Sequence, residues 1–205
     1  MQVNELIDVC EKKLSEKFKI VDEIAYFNQT KVLNAFSNNK IAVHHFNGTT
    51  GYGYGDLGRD FLGKLYAEVF GAESGIVSPH LLSGTHALTV ALFGLLRPND
   101  TLLCISGMPY DTIRGVIFGE NNGSLKDFGV NFEYCELDKT GKFDYKSIEE
   151  KLNQSVKVCY IQRSRGYELR DAFSCDEIGA VCKFVRKTGF KGCIFVDNCY
   201  GEFVE

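Results

Sequence analysis

Apolar residues recur at roughly helical spacing from Asn4 to Phe36, with Leu6, Ile7, Val9, Leu14, Phe18, Ile24, Phe27, Val32, Leu33 and Phe36 on the pattern. The pattern is interrupted near Phe18 to Val21, which predicts two amphipathic helices. They form a helical arm over residues 1–40 that closes in the polar run Ser37-Asn38-Asn39-Lys40 and suits wrapping a neighbour or its own domain better than chemistry. Ile41 to Phe46 reads as a short strand-like run. Beyond it the pattern predicts a helix over Leu57 to Phe70 and then alternation. Strands are expected at Ser74–Ser78, Thr101–Ser106, Val130–Leu137, Val156–Gln162 and Cys193–Asp197, and helices at Gly84–Leu96, Tyr110–Phe118, Asp144–Leu152 and Asp176–Lys187.

Nearly continuous apolar strands separated by helices indicate βαβ crossovers and a mostly parallel sheet covered on both faces, so the fold class is α/β. Residues 41–205 are expected to form one structural unit behind the arm. The last strand is followed by only Asn198 to Glu205, so the domain is expected to be incomplete.

Composition narrows the function classes. With 44% hydrophobic residues and only three prolines, the 205-residue chain is a packed globular protein and lacks the signature of disorder. Lys plus Arg number 23 against 27 Asp plus Glu, a net charge of −4, which disfavours a nucleic-acid partner. No basic n-region precedes an apolar run at the start, and no stretch reaches the roughly 18 apolar residues of a membrane helix. The expectation is a cytoplasmic protein with no membrane association. None of the eight cysteines is spaced C-x-x-C, and Cys104, Cys135, Cys159 and Cys193 lie in strand-like runs, which reads as buried thiols. His44 and His45 have no Cys or carboxylate at ligand spacing, so no metal site is expected.

Gly53-Tyr54-Gly55-Asp56-Leu57-Gly58 fits G-x-G-x-x-G, but a dinucleotide fingerprint needs its first glycine directly after a strand. Here Asn47 to Tyr52 intervene, and the reading is weak. A surface loop is the plain alternative, although Tyr52 and Tyr54 among glycines suit contact with something.

Ligands of open parallel sheets bind outside the carboxyl ends of the strands. Three such ends are informative. Ser83-Gly84-Thr85 opens a helix with backbone N–H groups and hydroxyls, an anion site or an ordinary N-cap. Tyr110 could stack on a flat ring or pack as a core residue. Asp197 follows an apolar run, where burial favours a cation or several donors as its partner. A phosphate cradle, a stacking ring and a carboxylate for a protonated ring nitrogen are together the needs of pyridoxal phosphate.

On these motifs, and on Gly51 to Asp60, Leu82 to Ala87, Pro109 to Thr112, Ile161 to Tyr167 and Val196 to Glu202, the chain resembles the methionine gamma-lyase-like family. Its members, also called aluminium resistance proteins, are pyridoxal-phosphate enzymes of fold type I related to those of cysteine and methionine metabolism. The resemblance implies the large domain of that fold and a carbon–sulfur lyase acting on a sulfur-containing amino acid. It implies that Ser83, Gly84 and Thr85 bind the cofactor phosphate, that Tyr110 stacks on the pyridine and that Asp197 keeps the ring nitrogen protonated. Tyr52, Tyr54 and Arg59 would reach the active site of a neighbouring subunit in a homodimer or homotetramer, and Arg163 and Arg165 would either grip substrate carboxylate or cofactor oxygens or take a plain solvated or ion-paired role. His80 and His86 are weaker acid–base candidates. The family's Schiff-base lysine lies beyond the Asp-bearing strand, whereas the last lysine here is Lys191, so no catalytic lysine occupies the matching place. The resemblance also implies a gap in the sheet, because later strands of that fold lie between the first and the fifth. Two other readings stay open: a non-catalytic or split-subunit module of the same fold, and a dinucleotide-binding protein.

Overall fold

The computed structural model describes residues 2–48 and 55–205. The chain divides into two compact units, residues 1–81 with Val204 and residues 82–203 with Glu205.

The first unit is helical. One helix, α1 (Val3–Asn38), replaces the two expected, because its 36 residues contain neither glycine nor proline to break the hydrogen-bond ladder. A slip in apolar spacing changes which face is apolar without ending a helix. Only Asn28 and Ala35 of α1 are buried, and Leu6, Ile7, Leu14, Phe18, Val21 and Phe27 are exposed. Val43–Phe46 forms a 3-10 turn where a strand-like run was expected, with the His45 ring nitrogen bonded at Ala42. The helix α2 (Leu57–Phe70) matches its expected bounds, capped by the Asp56 carboxylate at its start and by left-handed Gly71 at its end. Leu65 and Val69 of α2 pack on Ala35, Val32 and Phe36 of α1. Ser74–Ser78, expected as a strand, belongs to none: among the described residues no ladder includes it, and Ile76 is 89% exposed.

The second unit carries the sheet. Its elements are α3 (Gly84–Leu95), β1 (Thr101–Cys104), α4 (Asp111–Phe118), β2 (Asn131–Tyr134), α5 (Tyr145–Lys151), β3 (Val156–Gln162), α6 (Cys175–Lys187) and β4 (Cys193–Asp197). All three strand pairings are parallel, in the order β2-β1-β3-β4. Alternate residues of the central strands enter two separate cores. Leu103, Ile105, Cys159 and Ile161 pack with Ile148 of α5 and Val181 and Val185 of α6. Leu102, Cys104, Val158 and Tyr160 pack with Leu92 of α3 and Ile113 and Ile117 of α4. This is the two-sided burial that the apolar runs predict.

The order also fixes where a site can form. The chain leaves β1 toward β2 and then returns to β3 on the other side, so the connections diverge between β1 and β3 at the carboxyl edge. A crevice at such a switch point is where doubly wound sheets bind ligands.

Candidate functional site

Four residues at the carboxyl edge are wired together through the side chains of Ser106 and Gln162. Ser106, two residues beyond β1, accepts at its hydroxyl from the Gln162 backbone N–H at 2.8 Å. The Gln162 side chain accepts from the Tyr110 N–H at 2.9 Å and donates to the Ser164 carbonyl at 3.0 Å. Gln162 therefore bolts the start of α4 to the loop that follows β3, across the switch point. Gly166 in that loop has φ +58°, a left-handed conformation that favours glycine, and a Cβ there would lie 3.6 Å from the Tyr110 Cβ.

Asp197 ends β4 and is 4% exposed. Its Oδ2 accepts from the Tyr160 hydroxyl at 3.0 Å, and its Oδ1 accepts from the Cys199 N–H at 3.1 Å. Tyr160 is fully buried and its ring lies parallel to Phe195 at 5.6 Å. Burial, with the Asp197 charge next in size, holds the Tyr160 hydroxyl proton well above the ordinary phenol range, so this phenol is a donor. Among the described residues no cation lies within 4 Å of the Asp197 carboxylate. A buried carboxylate with one phenol and one amide as partners is half of a charge pair.

At the start of α3, the Ser83 hydroxyl accepts from the His86 N–H at 3.1 Å, which is the ordinary N-cap, and the His86 ring accepts from Leu82 N–H. The N–H groups of Gly84 and Thr85 have no acceptor among the described residues, so the first turn keeps two donors for an anion.

The two arginines after β3 differ. Arg163, read as either a ligand-gripping or an ion-paired residue, is buried with its donors engaged within the fold. Its Nε donates to the Phe173 carbonyl at 3.0 Å, and its Nη1 to Asn198 Oδ1 at 2.9 Å and the Gly201 carbonyl at 2.7 Å. Its Nη2 pairs with Glu205, which also accepts from the Cys175 N–H. It is a bracket that holds the turn after Asp197. Arg165 is exposed and makes one long bond, 3.4 Å to the Arg170 carbonyl.

In the first unit, Arg59 is exposed, pairs with Asp60 at 3.4 Å and receives the Asp56 cap at its N–H. Tyr52 and Tyr54 lie outside the described residues. The glycine motif opens α2, but a Cβ on Gly58 would come within 2.2 Å of the His45 carbonyl, so that glycine serves a close backbone approach. His80 is exposed. Sequence reasoning missed Ser106, Tyr160, Gln162 and Asn198; the first and third lie at strand ends, the only signal they carry. Cys104, Cys135 and Cys159 are buried as expected, while Cys193 is half-buried. Among the described residues no cluster of His, Cys, Asp and Glu could hold a metal, and no helix is long and apolar enough to cross a membrane.

The chain matches the family model for methionine gamma-lyase over residues 3–205. It is 48% identical to the uncharacterised protein YnbB of Bacillus subtilis over 190 residues, 91% of this chain and 45% of that protein. It is 27% identical to the L-methionine gamma-lyase of Pseudomonas putida over 150 residues, 73% of this chain and 34% of that enzyme. A solved structure from Listeria innocua, provisionally assigned as a cystathionine beta-lyase involved in aluminium resistance, superposes with a TM-score of 0.94 at 44% identity. That alignment covers 100% of this chain and 51% of the other. The chain thus spans about half the length of YnbB and of the Listeria protein.

Proposed function

The chain belongs to the methionine gamma-lyase family, and from that membership we propose that its carboxyl-edge site is the cofactor cradle of a pyridoxal-phosphate-dependent carbon–sulfur lyase of fold type I. The observation that carries this reading is Asp197, a buried carboxylate with two neutral donors and, among the described residues, no cation within 4 Å. Its chemistry fits a protonated pyridine nitrogen, and the open N–H groups of Gly84 and Thr85 fit a phosphate.

In this reading Asp197 would hold the proton on the ring nitrogen, with Tyr160 donating to its Oδ2. Tyr110 would stack on the pyridine, with its backbone fastened by Gln162. Gly84, Thr85 and the Ser83 cap hold the phosphate. Arg163 keeps the Asp197 turn in place, and Arg165 is the arginine open to a ligand. Bound pyridoxal phosphate supplies an electron sink for loss of the alpha proton and elimination of the sulfur-bearing group. The chain spans about half the length of YnbB and of the Listeria protein, so turnover is proposed for the whole protein. Tyr52 and Tyr54, together with Arg59, would serve a neighbouring subunit of a homodimer or homotetramer, and the exposed apolar side of α1 suits such packing. The proposed location is the cytoplasm.

The test uses the protein produced from its own gene at native length. Borohydride reduction is expected to fix the cofactor covalently, and Asp197→Ala is expected to abolish turnover of sulfur-containing amino acids while phosphate-dependent binding persists. Absence of any reducible cofactor adduct would refute the proposal.

A further inference from the structure

The loop between β3 and α6 is closed on itself. At its base the Phe173 N–H donates to the Arg163 carbonyl at 3.2 Å, and Arg163 Nε donates to the Phe173 carbonyl at 3.0 Å. Inside, Arg170 ties the turns together. It pairs with Glu168 at 2.7 Å, donates to the Ser164 and Asp171 carbonyls at 3.1 and 3.0 Å, and lies 4.6 Å from the centroid of the Phe173 ring. A further bond runs from the Glu168 N–H to the Arg165 carbonyl at 3.1 Å. A loop whose ends meet and whose interior is bonded in this way moves as one body.

Against the start of α4 the same loop is loosely seated. The two face each other across a cavity of about 230 Å³ with Tyr110, Gln162 and Arg165 in its wall. Among the described residues, Gln162 is the side chain hydrogen-bonded to both: its Oε1 accepts from the Tyr110 N–H at 2.9 Å and its Nε2 donates to the Ser164 carbonyl at 3.0 Å. Its own N–H is fixed on the Ser106 hydroxyl at 2.8 Å, and the residue is 5% exposed. An amide with both ends engaged cannot turn over without losing both bonds. A buried backbone N–H that loses its acceptor has no water to replace it, so Tyr110 and the loop cannot shift independently.

We propose that Gln162 is a positioning residue that joins the seat of the cofactor ring at Tyr110 to the loop after β3, so that filling the seat orders the loop and the loop in turn fixes the angle of the seat. This inference rests on the lyase reading above. It assigns Gln162 no contact with the cofactor, because the residue acts through the backbone of Tyr110. By linkage, the ordering of the loop by the cofactor and the tightening of the cofactor by the loop are one coupling free energy read from two sides.

The test measures hydrogen exchange of the native-length protein with and without pyridoxal phosphate. The Glu168 and Phe173 amides are bonded within the loop and exchange only when it opens. In wild type the cofactor is expected to slow both about tenfold, an ordinary size for two linked sites. Gln162→Met keeps the volume and removes both side-chain bonds. At saturating cofactor the slowing is expected to vanish in this variant, and the visible circular dichroism of the bound cofactor, which reports how its ring is held, is expected to weaken. A residue that only supports the fold would lower the melting temperature and leave both readouts as in wild type. Should Gln162→Met fail to fold, Gln162→Asn, one methylene short of both partners, takes its place. A wild-type protein whose bound cofactor leaves the loop amides unchanged, or protection that persists in the folded variant, overturns the proposal and leaves the lyase reading standing. A wild-type protein that takes up no cofactor overturns both.

Discussion

Removing the hydroxyl of Tyr160 tests the central contact of the site. Tyr160→Phe keeps the buried ring and its parallel contact with Phe195, and deletes the 3.0 Å bond to Asp197 Oδ2. Asp197 is then left, at 4% exposure, with the Cys199 N–H as its one remaining donor. A hydrogen bond to a charged group is worth about 1.5–3 kcal/mol, and a buried carboxylate stripped of a donor falls toward the upper end, so the expected loss is about 2–3 kcal/mol. The assay is urea denaturation at pH 7 of wild type, Tyr160→Phe, Asp197→Asn and the double variant. In the Asp197→Asn background the bond accepts at a neutral amide, and deleting the hydroxyl should cost only about 1 kcal/mol. The cycle should therefore return a coupling of about 1–2 kcal/mol, with unchanged slopes in urea. Equal costs in the two backgrounds would refute the claim that the phenol acts through the carboxylate's charge.

Three further predictions use the same chain. Gly58→Ala drives a Cβ to within 2.2 Å of the His45 carbonyl, so α2 or the 3-10 turn must move; circular dichroism melting should show a clear loss, whereas a neutral result would mean that approach is soft. Ser174→Ala removes the hydroxyl that accepts from Glu177 N–H at 3.2 Å in the capping box of α6, and should cost about 1 kcal/mol in urea; Ser174→Asp should restore most of it. At alkaline pH stability should fall, because burial pushes the Cys104 thiol up to about 11 and moves Cys159 and Tyr160 in the same direction. A proton held more tightly in the fold than in the unfolded chain gives a contribution that is complete below the ordinary thiol range and is lost as pH rises from about 9 to 11. About two units at Cys104 correspond to roughly 3 kcal/mol, so Cys104→Ala should flatten the slope of melting temperature between pH 8 and 11; an unchanged slope would contradict the assignment.

The strands of the second unit were legible because a doubly covered sheet leaves a local trace. Val156–Gln162 is apolar at nearly every position, since Cys159 and Ile161 face one core while Val158 and Tyr160 face the other. Periodicity failed where local pattern and long-range partner disagree. Ser74–Ser78 has the composition of a strand, but composition does not supply the ladder neighbour that makes one. In α1 the slip near Phe18 looked like a break, and the absence of any glycine or proline was the better guide.

The site divides along the same line. Asp197 could be found because a carboxylate straight after an apolar run is anomalous within its own five residues. Tyr160 could not, because a tyrosine inside a strand is ordinary there; it acquires meaning only once β3 lies beside β4 and the hydroxyl meets Asp197. Arg163 and Arg165 make the point most directly. They are the same residue two positions apart, and the alternation of an extended chain would put both on one side. The backbone leaves the strand between them, after Arg163 N–H has bonded the Asp197 carbonyl at 3.0 Å. One guanidinium is therefore drawn beneath the β4 turn toward Asn198 and Gly201, while the other rides out on the loop to the cavity beside Tyr110. Their opposite roles follow from where β3 ends against its neighbour, a boundary set by the pairing of Gln162 with Asp197, 35 positions on, and by nothing local to either arginine.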